Sequence, residues 1–141
     1  MAVVRTGEPD RSPGGRHELG RLGERLAGEH LERLGFRVID RNVRSPGGEI
    51  DLIVFDGRTL VFVEVKTCRA REDCRGEEAD LTPLGRLRPR QRARLRRQAV
   101  AWLCDPRRRR PSARYVRLDA VGVTVDAAGR LQRLEHVEAA W

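Results

Sequence analysis

The chain has 141 residues, with 29 lysine and arginine residues against 21 acidic residues, for a net charge of +8. This length suits one domain with a hydrophobic core of its own. The 39% hydrophobic content comes in short runs, which excludes a membrane span of about 20 apolar residues. Three unevenly spaced cysteines favour a reducing compartment, which we expect to be the cytoplasm.

The periodicity of the sequence predicts an α/β domain. Residues 1–16 are rich in glycine, proline and charge without periodicity, which predicts a disordered arm before a single domain over 17–141. Apolar residues at helical spacing predict one helix from His17 to Leu34, ended by Gly35, and another from Pro89 to Leu103. The other expected elements are strands over 36–39, 49–55, 58–66 and 131–137, one or two strands over 115–125, and loops over 42–48 and 69–85.

The positive charge is concentrated in one segment. Residues 86–117 contain thirteen arginines and one acidic residue, so they carry the whole positive excess of the chain. Such clustering predicts contact with a polyanion, in the first place the phosphates of a nucleic acid, although an arginine-rich solvated surface is the alternative. The candidate contact residues are Arg90, Arg94, Arg97, Arg107, Arg108, Arg109 and Arg110.

Two strand-like runs around Asp56-Gly57 predict a β-hairpin. With these two residues as the turn, Asp51 lies opposite Phe62 and Glu49 lies opposite Glu64. Side chains alternate along each strand, so one face of the hairpin is entirely apolar, with Ile50, Leu52, Val54, Val61, Val63 and Val65. The other face carries Ile53, Leu60 and Phe62 near the turn, and Glu49, Asp51, Glu64 and Lys66 toward the open end.

The charges at the open end of the hairpin are the candidate site. Charges beside buried strands are costly unless they are paired or bind a metal, and carboxylate oxygens are ligands that Mg²⁺ or Mn²⁺ prefers. The alternative is a salt bridge from Lys66 to Glu64 or Asp51. Lys66 is the one lysine among 28 arginines, which suggests a role that needs a compact ammonium. Glu24, at the margin of the apolar face of the first helix, is a further candidate, unless it is an ordinary exposed glutamate.

Several motifs resemble a known family. Asp51 followed by Glu64-Val65-Lys66 resembles the D…(D/E)xK signature of restriction-endonuclease-like nucleases. The segments Gly48 to Ile53 and Val61 to Thr67 resemble the YraN family of small bacterial proteins. So do Gly20…Gly23-Glu24…Ala27, Asn42-Val43-Arg44 and Glu135-His136-Val137…Ala140-Trp141, so that the resemblance covers residues 17–141.

The resemblance implies a restriction-endonuclease-like fold, with a central mixed β-sheet flanked by α-helices. It implies a Mg²⁺ or Mn²⁺ site from Asp51, Glu64 and the Val65 carbonyl, supported by Glu24, with Glu49 as a further ligand or an outer partner. Lys66 would orient or help deprotonate a water, or stabilise charge on a phosphate.

The expected function is therefore metal-dependent hydrolysis of DNA or RNA phosphodiesters, with no membrane partner. The alternative is a nucleic-acid-binding module of the same fold with little turnover, which serves a partner protein.

Overall fold

The computed structural model describes residues 13–70 and 83–140 of the chain. It contains two helices, α1 (Pro13–Arg33) and α2 (Pro89–Cys104), and a short 3₁₀ helix (Pro83–Arg86). The five strands are β1 (Arg37–Ser45), β2 (Gly48–Phe55), β3 (Thr59–Arg69), β4 (Tyr115–Val125) and β5 (Leu131–Val137).

The strands form one mixed sheet in the order β1-β2-β3-β4-β5. β3 and β4 are parallel, and every other neighbouring pair is antiparallel. A parallel pair needs a crossover connection, and α2 lies in the connection between β3 and β4. The expected α/β architecture, a single domain with a central mixed sheet flanked by helices, is confirmed. No helix in the described ranges is long and apolar enough to cross a membrane.

The two helices cover opposite faces of the sheet. On the α1 face, Ala27 and Leu31 pack against the apolar face of β2, β3 and β4, which includes Leu52, Val63 and Val121. On the α2 face, Leu95, Ala99 and Trp102 pack against a second buried cluster, which includes Ile53, Leu60 and Phe62. The central hairpin is thus buried on both sides, as its near-continuous apolar sequence predicts.

Element boundaries differ from the predicted ones. α1 begins at Pro13, so residues 13–16 belong to the helix rather than to the expected arm, and residues 1–12 lie outside the described part of the chain. The expected loop over 42–48 is mostly strand, because β1 pairs with β2 as far as Ser45↔Gly48. β3 continues to Arg69, where it pairs with Val125 of β4. The expected loop over 69–85 falls largely on residues 71–82, which are outside the described ranges.

The register of the β2–β3 hairpin is two residues away from the predicted one. Ile53, not Asp51, pairs with Phe62. The Asp56 carboxylate accepts hydrogen bonds from the backbone N–H groups of Arg58 (2.9 Å) and Thr59 (2.7 Å), so Gly57 and Arg58 form the centre of the turn. A shift of two residues preserves the parity of the strands, and the two faces of the hairpin stay nearly as predicted.

One residue of the predicted apolar face is on the other side. Ile50 packs in the α2 cluster with Val43, its partner in β1, whereas Leu52 packs on the α1 side. Residues two apart share a face in a regular strand, so the alternation breaks at Asp51, between them. That break lies at the candidate site.

Candidate metal centre and nucleic-acid interface

The candidate site lies where β2 and β3 separate. Their pairing ends at Leu52↔Val63, and the next residues of the two strands are Asp51 and Glu64, whose charges interact. Asp51 Oδ2 accepts a hydrogen bond of 2.7 Å from the backbone N–H of Val65. The Asp51 carboxylate thus lies next to Leu52↔Val63, the last residue pair of the two strands. Its hydrogen bond to Val65 holds the Asp51 side chain between β2 and β3.

Three carboxylates from two elements converge at this point. Glu24 of α1 and Glu49 and Asp51 of β2 each offer an oxygen, and these oxygens lie within 4.8 Å of one another. We call Glu24, Glu49 and Asp51 the acidic cluster. The resemblance implied Asp51 and Glu64 as ligands, Glu24 in support, and Glu49 as a further ligand or an outer partner. The structure brings Glu24, Glu49 and Asp51 together and places Glu64 next to Asp51.

Asn42 of β1 holds two members of the acidic cluster together. With its amide nitrogen turned toward the carboxylates, Asn42 donates to Glu49 Oε1 at 2.7 Å and to Glu24 Oε2 at 2.9 Å. Its backbone is in the left-handed region (φ 48°), which asparagine tolerates better than most residues. Sequence reasoning placed Asn42 in a loop and did not assign it to the site.

A close approach between α1 and β3 brings Glu24 to the sheet. A Cβ atom on Gly23 would lie 1.7 Å from Thr67 Oγ1 of β3, so a side chain at this position would push the helix away. The glycine before Glu24 therefore lets the helix dock at the depth that the acidic cluster requires.

Electrostatics show that the acidic cluster holds more negative charge than its surroundings stabilise. Burial, followed by the charge of Glu64, raises the pKa of Asp51 to about 8, although the Val65 hydrogen bond opposes the rise. Burial also raises the pKa of Glu24, against the lowering effect of the Asn42 hydrogen bond. Either protons or a cation would relieve this repulsion.

Lys66 and Glu64 form an ion pair next to the acidic cluster. Lys66 Nζ lies 3.2 Å from Glu64 Oε1, and the side chains are 26% and 9% exposed. The salt bridge considered from the sequence is therefore present. This ion pair accounts for Glu64 but not for the three carboxylates of the acidic cluster. Among these three, only Glu49 forms a salt bridge within the described part of the chain, with the exposed Arg44. The backbone N–H of Val65 donates a hydrogen bond to Asp51. The role of the Val65 carbonyl as a metal ligand stays a prediction.

Basic residues surround the mouth of the acidic cluster. An open cleft of about 300 Å³ is lined by Glu24, Glu49 and Asn42 together with Arg16, His17, Gly20, Arg21 and Arg44. Arg44 Nε lies 3.4 Å from Glu49 Oε2, and the charges of His17 and Arg21 lower the pKa of Glu24. His17, Arg21 and Glu24 are spaced four and three residues apart, so helical periodicity could have placed them on one face. Only the fold brings Arg44 to that face.

Part of the predicted arginine surface borders the site. α2 carries five arginines and no acidic residue. Arg94 lies next to Gly48, where a Cβ atom would be 3.0 Å from the Arg94 Cδ and 2.5 Å from Gln98 Nε2. Arg90 and Arg97 are four residues before and three residues after Arg94, so the three share one face of the helix. That face lies next to the start of β2, where Gly48 and Glu49 are located.

The second predicted group of arginines is largely engaged in contacts within the protein. Arg107 pairs with Asp105 at 3.1 Å, and Arg108 pairs with Asp40 at 3.2 Å. Arg110 Nη1 donates to the carbonyl of Leu103. These residues follow the C-terminal end of α2, away from the Arg94 end that borders Gly48. The charge run is therefore partly a structural feature of its own loop.

The fold and the site define an α/β protein with an acidic cluster at the end of its central hairpin, an arrangement consistent with the restriction-endonuclease-like fold. Residues 23–123 match the model described as "Uncharacterised protein family UPF0102". A UPF0102 protein of Renibacterium salmoninarum is 45% identical over 121 residues, which cover 85% of this chain and 92% of that protein.

Other relatives carry the same description. A UPF0102 protein of Beutenbergia cavernae is 44% identical over 119 residues (84% of this chain and 92% of the relative). Another, from Chlorobium limicola, is 37% identical over 130 residues (89% and 93%). The chain belongs to the UPF0102 family, and the YraN-like resemblance predicted from its motifs is confirmed.

Proposed function

We propose that this protein binds nucleic acid and hydrolyses its phosphodiester bonds with the help of a divalent cation. The observation that carries the proposal is the convergence of carboxylates from α1 and β2 beside the Glu64–Lys66 pair, at the point where β2 and β3 separate and a cleft with basic residues opens. An acidic centre suits a cation, and a basic rim suits the phosphates on either side of it.

The donor set fits Mg²⁺ or Mn²⁺. Glu24, Glu49 and Asp51 offer hard oxygen ligands within 4.8 Å of one another, and Glu64 lies next to Asp51. The raised pKa of Asp51 indicates that this site favours a neutralising partner. When bound, a divalent cation would supply charge stabilisation at the phosphate and would lower the pKa of a water molecule.

The protein's own groups would position the substrate. The Lys66 ammonium, held by Glu64, has further N–H donors that can bind a phosphate oxygen or orient the attacking water. Arg21 and Arg44 at the cleft, and Arg90, Arg94 and Arg97 on α2, would bind flanking phosphates. Asn42 would keep Glu24 and Glu49 in place as the charge at the site changes.

A binding module with little turnover is the second candidate function. It is favoured by the Asp51 carboxyl, which is hydrogen-bonded to Val65 and has a pKa near 8, and by the Lys66 ammonium, which already has Glu64 as its partner. Such a module would bring nucleic acid to a partner protein. It would bind as the hydrolase does but would lack its metal-dependent cleavage.

The test is a cleavage assay on single-stranded, duplex and branched DNA and RNA with Mg²⁺ or Mn²⁺. We expect cleavage by the wild type and by Glu29→Gln, a matched control on the exposed side of α1. We expect none by Asp51→Asn. Binding without cleavage at any pH supports the module, and cleavage that survives Asp51→Asn contradicts the proposed site.

A further inference from the structure

A half-exposed tyrosine stands at the end of the sheet opposite the acidic cluster. Tyr115, the single tyrosine of the chain, begins β4 beside Thr59 and is 50% exposed. Glu64 lies five residues further along β3 from Thr59, which corresponds to about 17 Å of strand. The ring is therefore well separated from the candidate metal centre but lies on the same sheet.

Two arginines flank the Tyr115 ring. The guanidinium carbons of Arg58 and Arg114 lie 5.7 and 5.6 Å from the ring centroid. Among the residues that the structure describes, no carboxylate lies within ion-pair distance of either guanidinium. The three side chains thus form a compact surface with one aromatic ring and two positive charges, which we call the Tyr115 platform.

The backbone of the Tyr115 platform is rigid. The carbonyl of Arg58 accepts hydrogen bonds from the N–H groups of both Arg114 (2.8 Å) and Tyr115 (3.0 Å), and Tyr115 pairs with Thr59 in the parallel ladder. Because the strand ends are already ordered, a ligand at the platform would restrict few further torsions, which favours binding.

Tyr115 also differs from the other aromatic side chains. Phe62 and Trp102 are in contact in the core under α2, and Phe36 is buried at the end of α1. Among the phenylalanine, tyrosine and tryptophan residues of the described ranges, only Tyr115 is exposed. Trp141 lies outside those ranges. Although aromatic residues make up only 4% of the chain, a single well-placed ring is sufficient to stack on one base.

We propose that the Tyr115 platform binds an unpaired nucleotide of the nucleic acid, an inference that rests on the proposed function. Stacking of bases on aromatic rings and contacts of arginine with phosphates are the two components of single-strand recognition. A base would replace one guanidinium on the ring, and that arginine would then reach the adjacent phosphate. Bases inside a duplex are already stacked on both faces, so the platform favours substrates with a single-stranded part.

The separation of the two sites limits the substrate. Thr59 and Glu64 are five residues apart, so Tyr115 and Glu64 point to opposite faces of the sheet, and about 17 Å is a lower limit on the path between the two sites. At about 3.4 Å per nucleotide along a stacked strand, the unpaired region would lie at least roughly five nucleotides from the phosphate that occupies the acidic cluster.

The test compares two labelled DNA duplexes by fluorescence anisotropy in EDTA, one blunt and one with a single-stranded extension of about ten nucleotides. We expect wild type to bind the extended duplex more tightly than the blunt one. Tyr115→Ala should weaken binding of the extended duplex by about 5-fold or more, as expected for the loss of one stacked base, and should leave the blunt duplex unaffected. Tyr115→Phe keeps the ring and should bind as wild type does.

Val116→Ala is the matched control, since Val116 is the next residue of β4 and is 52% exposed. Should Tyr115→Ala fail to fold, the Arg58→Gln, Arg114→Gln double variant must show the same selective loss. The inference is overturned if wild type and Tyr115→Ala bind the extended duplex equally well, or if the variant loses the same affinity for both duplexes. Either result leaves the proposed function intact. If wild type binds neither duplex and no other nucleic acid, the proposed function fails with it.

Discussion

Replacing Asp51 with asparagine removes one negative charge from the acidic cluster while preserving the shape of the side chain. The asparagine oxygen can still accept the hydrogen bond from Val65. In the absence of a divalent cation, we expect Asp51→Asn to be more stable than wild type at alkaline pH, because the ionised Asp51 carboxylate is disfavoured there by burial and by the charge of Glu64. With the cation present, wild type should gain stability and the variant should gain much less.

The pH dependence follows from the raised pKa of Asp51, about 8 in the folded state against 3.8 for the unperturbed group. Between these values the folded protein retains a proton on Asp51 that the unfolded chain releases. The free energy of unfolding therefore falls as the pH rises through this range and levels off above pH 8. Below pH 3.8 the group is protonated in both states and contributes no difference.

The size of the effect has an upper limit. A difference of about four pKa units corresponds to about 6 kcal/mol at roughly 1.4 kcal/mol per unit. Asp51 is only partly buried, and part of the shift comes from Glu64, Glu24 and Glu49, so we take this value as an upper limit. We expect Asp51→Asn to exceed wild type by about 1–3 kcal/mol at pH 8 and by much less at pH 5.

Urea denaturation in EDTA at pH 5 and pH 8 measures this difference, with Glu29→Gln as the control for a general change in net charge. A repeat with Mn²⁺ tests the cation, since a ligand at 100 times its Kd stabilises the folded state by about 2.7 kcal/mol. If wild type is equally stable at both pH values, or if Mn²⁺ stabilises both proteins alike, the reasoning about the acidic cluster is wrong.

The other predictions concern the lysine, the arginine surface and a histidine. Lys66→Arg should fold and bind nucleic acid and metal as wild type does but lose cleavage by about 10²–10⁴-fold, because a bulky guanidinium cannot replace a compact ammonium; full cleavage would refute the role of Lys66. Changing Arg90, Arg94 and Arg97 to glutamine should lower the slope of log K against log salt by up to about 2.7 for duplex DNA, and an unchanged slope would mean that this face contacts no phosphates. Burial, followed by the charges of His136 and Arg33, lowers the pKa of His30 from 6.5. The free energy of unfolding of wild type should therefore fall as the pH drops through 6.5, and it should fall less in His30→Asn. Equal pH dependence in both proteins, measured by urea denaturation at constant salt, would contradict this.

Local patterns in the sequence were sufficient to predict the helices and strands and to nominate the candidate residues of the site. Alternation of apolar residues in β2 and β3 depends on neighbours two positions away, so the two buried faces of the hairpin could be predicted without the fold. Helical spacing likewise placed Glu24 at the margin of α1. The hairpin register could not be derived in this way, because it depended on which backbone groups the Asp56 carboxylate binds.

Which charged groups come into contact depends on how the helices pack on the sheet. Asn42 reaches Glu24 and Glu49 because β1 continues as a strand alongside β2, and α1 docks closely because Gly23 lies against Thr67. The same applies to Tyr115, whose exposure follows from its place at the end of β4. Local patterns reflect what each residue requires of its immediate neighbours. The acidic cluster, in contrast, consists of groups up to 27 positions apart, Glu24 and Asp51, which only the packing of helix on sheet brings within 4.8 Å of one another.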